Sequence, residues 1–437
     1  MSKRINHILS DQDYKEILTK GFSFLVLRVG GLLAGFLFTF FVAREYGARV
    51  VGLVALSFTL IMCLSIFGRL GIDINLIPFY SKEENKSDSG LFIKVLLKSL
   101  TFSIGIATAL FLLRDVVAIH LFKKPELVPF IYWASLTIPL WTITLVCAGL
   151  FRANKRNTLF AFFNNPGRFI ISLLVLLAFL WGLNANDLIP IKAHFYAVLT
   201  LAIISVITAL RQFEQIKIKP NSNSWSFLKQ AFPMMLSGVI IVFLGWADTF
   251  VLGIYEENDT IGIYNVALKI ATLTSFSLQA INSILAPKLA KYFNDDNTKE
   301  FKKIIRFATK LNFFITLFVV AMILGFHQFI LGLYGEEFLS GATVLFILCS
   351  GQLINSLSGS VGLIMQMTGL QKTYQNIVLA ALVINVTLNF ILTPIFGAIG
   401  AAVATFVSMA FWNLYSAIYL KRKFNITSYF TLTYKTE

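Results

Sequence analysis

Uninterrupted apolar stretches of about 20 residues recur from one end of this chain to the other, each long enough to cross a hydrocarbon layer of roughly 30 Å as a helix. They fall at approximately 21–43, 50–72, 91–113, 127–150, 159–182, 191–211, 230–254, 260–286, 305–331, 341–367, 374–396 and 398–420. Runs this long and this uniform lack the alternation of a membrane β-barrel, so helices are the expected solution. The expected fold class is an all-α integral membrane protein of about 12 transmembrane helices. Composition agrees: 14% of residues are charged and 57% hydrophobic, against about 25% charged in a soluble domain.

An even number of spans puts both termini on one side of the membrane. With the N-terminus cytoplasmic, the cytoplasmic segments hold 28 Lys and Arg, Arg168 among them, and the opposite side holds 6. Acidic residues split 11 to 9. Lysine and arginine concentrate on the cytoplasmic side, so both ends are expected there. The net charge of +15 is then a topology signal and calls for no nucleic acid. About 20 polar residues precede the first apolar run, which is too long for a signal h-region, so no cleavable signal peptide is expected. That first segment has a weak amphipathic pattern (Ile5, Ile8, Leu9, Ile17, Leu18).

Catalytic chemistry is hard to find. The outer loops are short, none above about 15 residues, which leaves little room for an extramembrane active site. There is no phosphate-cradling Gly-x-x-x-x-Gly-Lys, the four histidines make no metal spacing, and no nucleophile signature stands out. The chain is read as a non-enzyme with no cofactor. Cys63, Cys147 and Cys349 all lie in apolar runs and read as small packing residues.

The chain also repeats itself. Gly52-Leu53-Val54-Ala55-Leu56 is matched by Gly262-Ile263-Tyr264-Asn265-Val266. Leu76-Ile77-Pro78 is matched by Leu285-Ala286-Pro287, and a charged loop follows each. Ordered matches at a nearly constant offset predict two six-helix halves in parallel orientation. The expected division is a cytoplasmic segment 1–20, an N-lobe 21–212, a cytoplasmic linker 213–226, a C-lobe 227–420 and a cytoplasmic tail 421–437. Two-halved bundles of this kind suit alternating access, with substrate between the halves.

Five charges are left inside the spans by this assignment: Arg28, Arg69, Asp73, Asp248 and Lys269. Each costs on the order of 2.5–3.5 kcal/mol at a helix centre, so each needs a wet cavity or a partner. Arg69 and Asp73 are spaced i, i+4 and suit a local ion pair with a structural or gating role. Arg28 shares a face with Gly31, Gly35 and Thr39 and has no partner on its own helix. Lys269 heads a polar stripe with Thr272, Phe276, Gln279 and Ser283. Asp248 and Lys269 lie at similar depths. They are open to three readings: a structural pair, a substrate site, or a coupling site for Na⁺ or H⁺. The cationic surplus suits an anionic substrate such as a phosphate or diphosphate, which Arg grips as a fork.

Asp248-Thr249-Phe250-Val251-Leu252-Gly253, then Ile261-Gly262-Ile263-Tyr264-Asn265-Val266-Ala267 and Ile284-Leu285-Ala286-Pro287-Lys288, resembles the multidrug/oligosaccharidyl-lipid/polysaccharide (MOP) exporter superfamily. So do Ala43-Arg44-Glu45-Tyr46-Gly47, Gly68-Arg69-Leu70-Gly71-Ile72-Asp73 and the late run Asn385-Val386-Thr387-Leu388-Asn389. Within it the chain is similar to the polysaccharide transport branch, which includes the Wzx-type O-antigen flippases. The resemblance implies two lobes in a V and movement of a polyprenyl-diphosphate oligosaccharide from the cytoplasmic to the outer leaflet. It implies a bacterial inner (cytoplasmic) membrane, membrane lipids as surroundings, and other polysaccharide-assembly membrane proteins as partners. Arg28, Lys269, Arg69 and Gln279 are the candidate substrate-binding residues. Asp248 and Asp73 are the candidates for ion coupling or gating. The rival is a multidrug/cation antiporter of the same superfamily, although such proteins tend to rely on acidic groups and only Asp248 is a deep carboxylate here.

Overall fold

The computed structural model describes residues 12–182, 186–217 and 223–431, with the side chains of residues 12–26 and 28 left out. The amphipathic positions Ile5, Ile8 and Leu9 and residues 218–222 of the expected linker therefore lie outside the described residues. Among the described residues the chain is helical and has no strand. In chain order the helices are α1 (Gln12–Arg69), α2 (Ile72–Tyr80), α3 (Ser89–Leu112), α4 (Val128–Ala153), α5 (Asn157–Asn164), α6 (Pro166–Gly182), α7 (Ile189–Leu210) and α8 (Ser224–Tyr255). There follow α9 (Asn258–Thr272), α10 (Phe276–Asn294), α11 (Thr298–Gly325), α12 (His327–Gly332), α13 (Ala342–Ser358), α14 (Val361–Met367) and α15 (Gln371–Phe424).

Nine of these stretches are long and apolar enough to cross a membrane, and the bent pair α5 and α6, 51° apart, makes ten. Two of the ten are double. α1 carries a non-helical residue at Gly47 (φ 77°, ψ 179°), and α15 carries one at Gly397 (φ 57°, ψ −136°). Both conformations put a Cβ under strain, and glycine adopts them freely. Splitting α1 and α15 at these glycines gives twelve spans, in the places where hydropathy puts them. Between α1 and α2 the backbone turns through Leu70 (φ 54°) and Gly71 (φ 73°).

The chain divides into two compact units. One comprises residues up to Val42 with Ser57–Val242, and the other Ala43–Leu56 with Phe243 onward. α1 thus lends its middle to the second unit, and α8 begins in the first. The core of the first unit gathers Ile72, Leu76, Tyr80, Phe92, Val146, Cys147 and Phe151. The core of the second gathers Leu285, Leu289, Phe301, Ile305, Ile364, Met365 and Leu420. Cys147 and Cys349 are buried and Cys63 is half-buried, each a free thiol. Many large apolar side chains face outward, among them Leu112, Trp181, Phe318 and Ile395. In water such a surface would aggregate, whereas lipid tails solvate it.

Within the second unit the two glycines that open the sequence repeat meet each other's helices. A Cβ on Gly52 would stand 2.0 Å from the Asn258 carbonyl oxygen, and a Cβ on Gly262 would stand 2.0 Å from that of Ala48. The contact is reciprocal, with Ala48 and Gly52 on one helix and Asn258 and Gly262 on the other, each pair four residues apart. Small residues at this spacing let two backbones touch, which is how helices associate where lipid supplies no hydrophobic drive. Gly262→Leu forces the crossing apart. Overpacking of this kind costs about 1–3 kcal/mol, and the expected result is a lower thermal midpoint of the purified protein. Gly105→Leu, at a position where a Cβ meets nothing within 4 Å, should leave the midpoint unchanged.

Candidate functional site

Asp248 lies on α8 and is 7% exposed. Its carboxylate takes four hydrogen bonds, all from uncharged groups. The Tyr264 hydroxyl of α9 donates to Oδ2 at 2.7 Å, and the Thr405 hydroxyl of α15 donates to the same oxygen. Asn389 Nδ2 donates to Oδ1 at 2.8 Å and Asn385 Nδ2 donates to Oδ1 at 3.2 Å. The supporting groups follow from helical spacing. Asn385, Asn389 and Thr393 stand at i, i+4 and i+8 on one buried face of α15. Thr405 and Ser408 come from the same helix beyond the Gly397 bend, and Ser408 Oγ accepts from Asn385 at 3.3 Å. Beside them Thr249 donates to Asn265 Oδ1 at 3.3 Å.

A carboxylate removed from water and given no cation is expensive, and hydrogen bonds to the charged form are what offset the cost. The same shell has a second use. Every partner of Asp248 carries an oxygen, and an asparagine amide presents either its NH₂ or its carbonyl according to a half-turn of χ2. Turned over, Asn385 and Asn389 would add two carbonyl oxygens to the carboxylate and hydroxyls. An all-oxygen set of that kind suits a hard cation, and an isolated carboxylate suits a proton. No group of three or more His, Cys, Asp or Glu able to hold a metal ion occurs among the described residues.

Of the three readings left open for Asp248 and Lys269, the structural pair is not formed, since all of the partners of Asp248 are neutral. Tyr264 is the residue of α9 that faces Asp248, and Lys269 is five residues further on, about 140° around the helix. Lys269 is half-buried in the last turn of α9. Its stripe crosses a short 3-10 break at Leu273–Ser275, so it is shared by two helices. Gln279 Nε2 donates to Ser275 Oγ at 3.1 Å, and Thr272 and Ser283 donate to carbonyls of their own turns.

In the first unit Arg69 Nη1 meets Asp73 Oδ2 at 2.9 Å, the local pair that the spacing suggests. It spans the break between α1 and α2 instead of lying within one helix. Gly149 of α4 admits this turn, because a Cβ there would come within 2.4 Å of the Asp73 carbonyl. Arg28 lies on α1, with its side chain outside the described residues. Arg168 corrects the charge assignment. It is the third residue of α6, 5% exposed, and belongs with the intramembrane charges and not with a cytoplasmic loop. Asn385, Asn389 and Thr405 were also not singled out as site residues, although an Asn-x-x-x-Asn pair in an apolar helix is a visible signal for a buried polar face.

Comparison with known proteins places the chain. The polysaccharide biosynthesis protein family matches residues 17–293, and the MatE family matches residues 233–391. Agl15 of Haloferax volcanii, a probable low-salt glycan biosynthesis flippase, is 25% identical over 241 residues, 55% of this chain and 50% of that protein. The capsular polysaccharide biosynthesis protein CapF of Staphylococcus aureus is 27% identical over 205 residues, 46% of this chain and 51% of that protein. The chain spans about half the length of these relatives. Among solved structures, the lipid II flippase MurJ in an inward closed conformation superposes with a TM-score of 0.74 at 17% identity, covering 92% of this chain and 87% of that one. An inward-facing multidrug resistance MATE family transporter of the MOP superfamily gives a TM-score of 0.69 at 15% identity, covering 91% and 98%. These two likenesses concern the fold. The first family match takes in well over half of the residues, and the chain belongs to the polysaccharide biosynthesis protein family, built on the fold of the MOP superfamily.

Proposed function

We propose that this protein is a flippase that carries a polyprenyl-diphosphate oligosaccharide from the cytoplasmic to the outer leaflet by alternating access, for surface polysaccharide or O-antigen synthesis. The observation that carries the reading is the match to the polysaccharide biosynthesis protein family over residues 17–293. The flippase names of relatives such as Agl15 support it. In this reading the protein sits in a bacterial cytoplasmic membrane with both ends inside, as the Lys/Arg imbalance suggests. It works as a transporter without catalytic residues or cofactor, alongside other polysaccharide-assembly membrane proteins.

Arg28 engages the diphosphate, with Lys269 and Gln279 assisting along α9 and α10. The Arg69–Asp73 pair straddles a backbone break and suits gating better than direct contact with substrate. Arg28→Ala should abolish surface glycan and leave full-length lipid-linked repeat units inside the cell, with normal amounts of protein in the membrane. Normal glycan display in that variant would refute the role given to Arg28.

Asp248 couples transport to a cation gradient, Na⁺ or H⁺. Its support is a buried carboxylate whose partners are all oxygen-bearing and neutral. Asp248→Asn keeps the shape and removes the charge. The expected outcome is a drop of at least about tenfold in gradient-driven flipping in proteoliposomes, of the size that loss of about 1.4 kcal/mol of coupling gives. The little flipping that remains should no longer respond to either gradient. Undiminished, gradient-sensitive flipping would rule out coupling at this residue.

A multidrug/cation antiporter is the second reading, favoured by the MatE match over residues 233–391. A deletion strain that becomes drug-sensitive while keeping its surface polysaccharide would decide for it.

A further inference from the structure

The first unit contains a buried charge of the opposite sign to Asp248, and its surroundings are unusual. Arg168 makes no ion pair among the described residues. Its guanidinium carbon lies 4.4 Å from the ring centre of Phe169, 5.1 Å from that of Trp141 and 6.0 Å from that of Phe58. Nη1 reaches only the Met62 sulfur, at 3.5 Å. Ring faces and a thioether stabilise a cation weakly and leave its N–H groups unused.

Two neighbours share the same want. His194, 1% exposed, stacks its ring 4.4 Å from Phe58, and its Nδ1 is 3.2 Å from Ser172 Oγ. A Ser172 hydroxyl donating to Nδ1 leaves the ring proton on Nε2. Trp141 is 2% exposed. Arg168 Nε, His194 Nε2 and Trp141 Nε1 are all buried and all without a hydrogen-bond partner. Three unmatched nitrogens on α4, α6 and α7, with Arg168 beside the rings of both Trp141 and Phe58 and His194 against Phe58, are a costly arrangement unless something accepts from them. Arg168 also stands in the first turn of the 17-residue helix α6, where the unpaired backbone N–H groups and the helix dipole favour negative charge.

We propose that Arg168, Trp141 and His194 form a binding site for a monovalent inorganic anion of the halide class. One guanidinium neutralises one charge, and the other contributors are neutral N–H groups. A diphosphate would bring further negative charge that nothing here offsets. A weakly hydrated halide gives up its water more readily and accepts from several N–H groups at once. Bound there, it ties α1, α4, α6 and α7 together within the unit and stabilises its fold. The inference is independent of what the protein transports.

The test uses the full-length protein in detergent, in potassium gluconate, titrated with potassium bromide at constant ionic strength. Bromide quenches indole fluorescence on contact, and Trp141 is otherwise shielded by burial. The expected result is a saturable loss of part of the emission in the parent protein, absent in Trp141→Phe and weakened at least about tenfold in affinity in Arg168→Gln. Chloride in place of gluconate should raise the thermal midpoint by about 2–4 °C, and this rise should vanish in Arg168→Gln. If Arg168→Gln does not fold, His194→Phe takes its place and should shift the bromide midpoint upward. Quenching that is linear in bromide and equal in the parent and Trp141→Phe, with no chloride effect on the midpoint, would overturn the proposal and assign the nitrogens to water. Stabilisation by inorganic phosphate or pyrophosphate but not by chloride would overturn the monovalent assignment.

Discussion

Lipid offers no hydrogen bonds, and most of what is specific in this structure answers that single fact. Backbone groups are satisfied by helices, so the spans are long and the breaks in them are few. Hydroxyls inside the spans bond back to their own helix: Thr137 to the Trp133 carbonyl, Thr144 to Leu140 and Ser65 to Met62. Where the backbone must break, a side-chain pair is at hand. Arg69 and Asp73 bridge the turn at Leu70 and Gly71, and Ser99 donates to the Gly68 carbonyl at 2.8 Å just before it.

The same fact governs packing. With lipid as apolar as any side chain, helices gain by touching closely, and glycine permits the closest touch. Gly52 and Gly262 do this reciprocally in the second unit, and Gly31 does it in the first, where a Cβ would overlap Pro166. Gly47 and Gly397 serve a different purpose. Their backbone angles turn a 58-residue and a 54-residue helix into two spans each.

These two uses of glycine explain what could be read in advance. Span number and placement follow from apolar length, a local property, and the hydropathic gap between 43 and 50 or between 396 and 398 marks a bend without saying that the helix continues through it. The Arg69–Asp73 pair was legible because its partners are four residues apart. Asp248 was legible as a deep carboxylate, but its partners were not, since they are assembled from helices up to 157 residues apart in sequence. Matching by depth suggested Lys269, and the rotation of α9 brought Tyr264 instead. Arg168 was missed for a related reason. It falls inside the apolar run 159–182 yet was counted with the cytoplasmic Lys and Arg before it, because position along a run does not say which way a side chain turns; Pro166 starts a helix and carries Arg168 into the first unit's interior.

The neutrality of the partners is what gives Asp248 its chemical interest. A carboxylate already paired with a lysine gains little from a proton or a cation, because its charge is balanced. Held by Tyr264, Thr405, Asn385 and Asn389, its charged form has no balancing cation in a medium of low dielectric, where an incoming positive charge is worth far more than in water. The four donors make the charged form tolerable, and they leave it unneutralised. A buried group in that condition has two states that differ widely in energy with their surroundings. A bound cation biases one conformation over another by as much as its affinity differs between them, and an unbalanced carboxylate makes that difference large. An ion pair with Lys269 would have removed it.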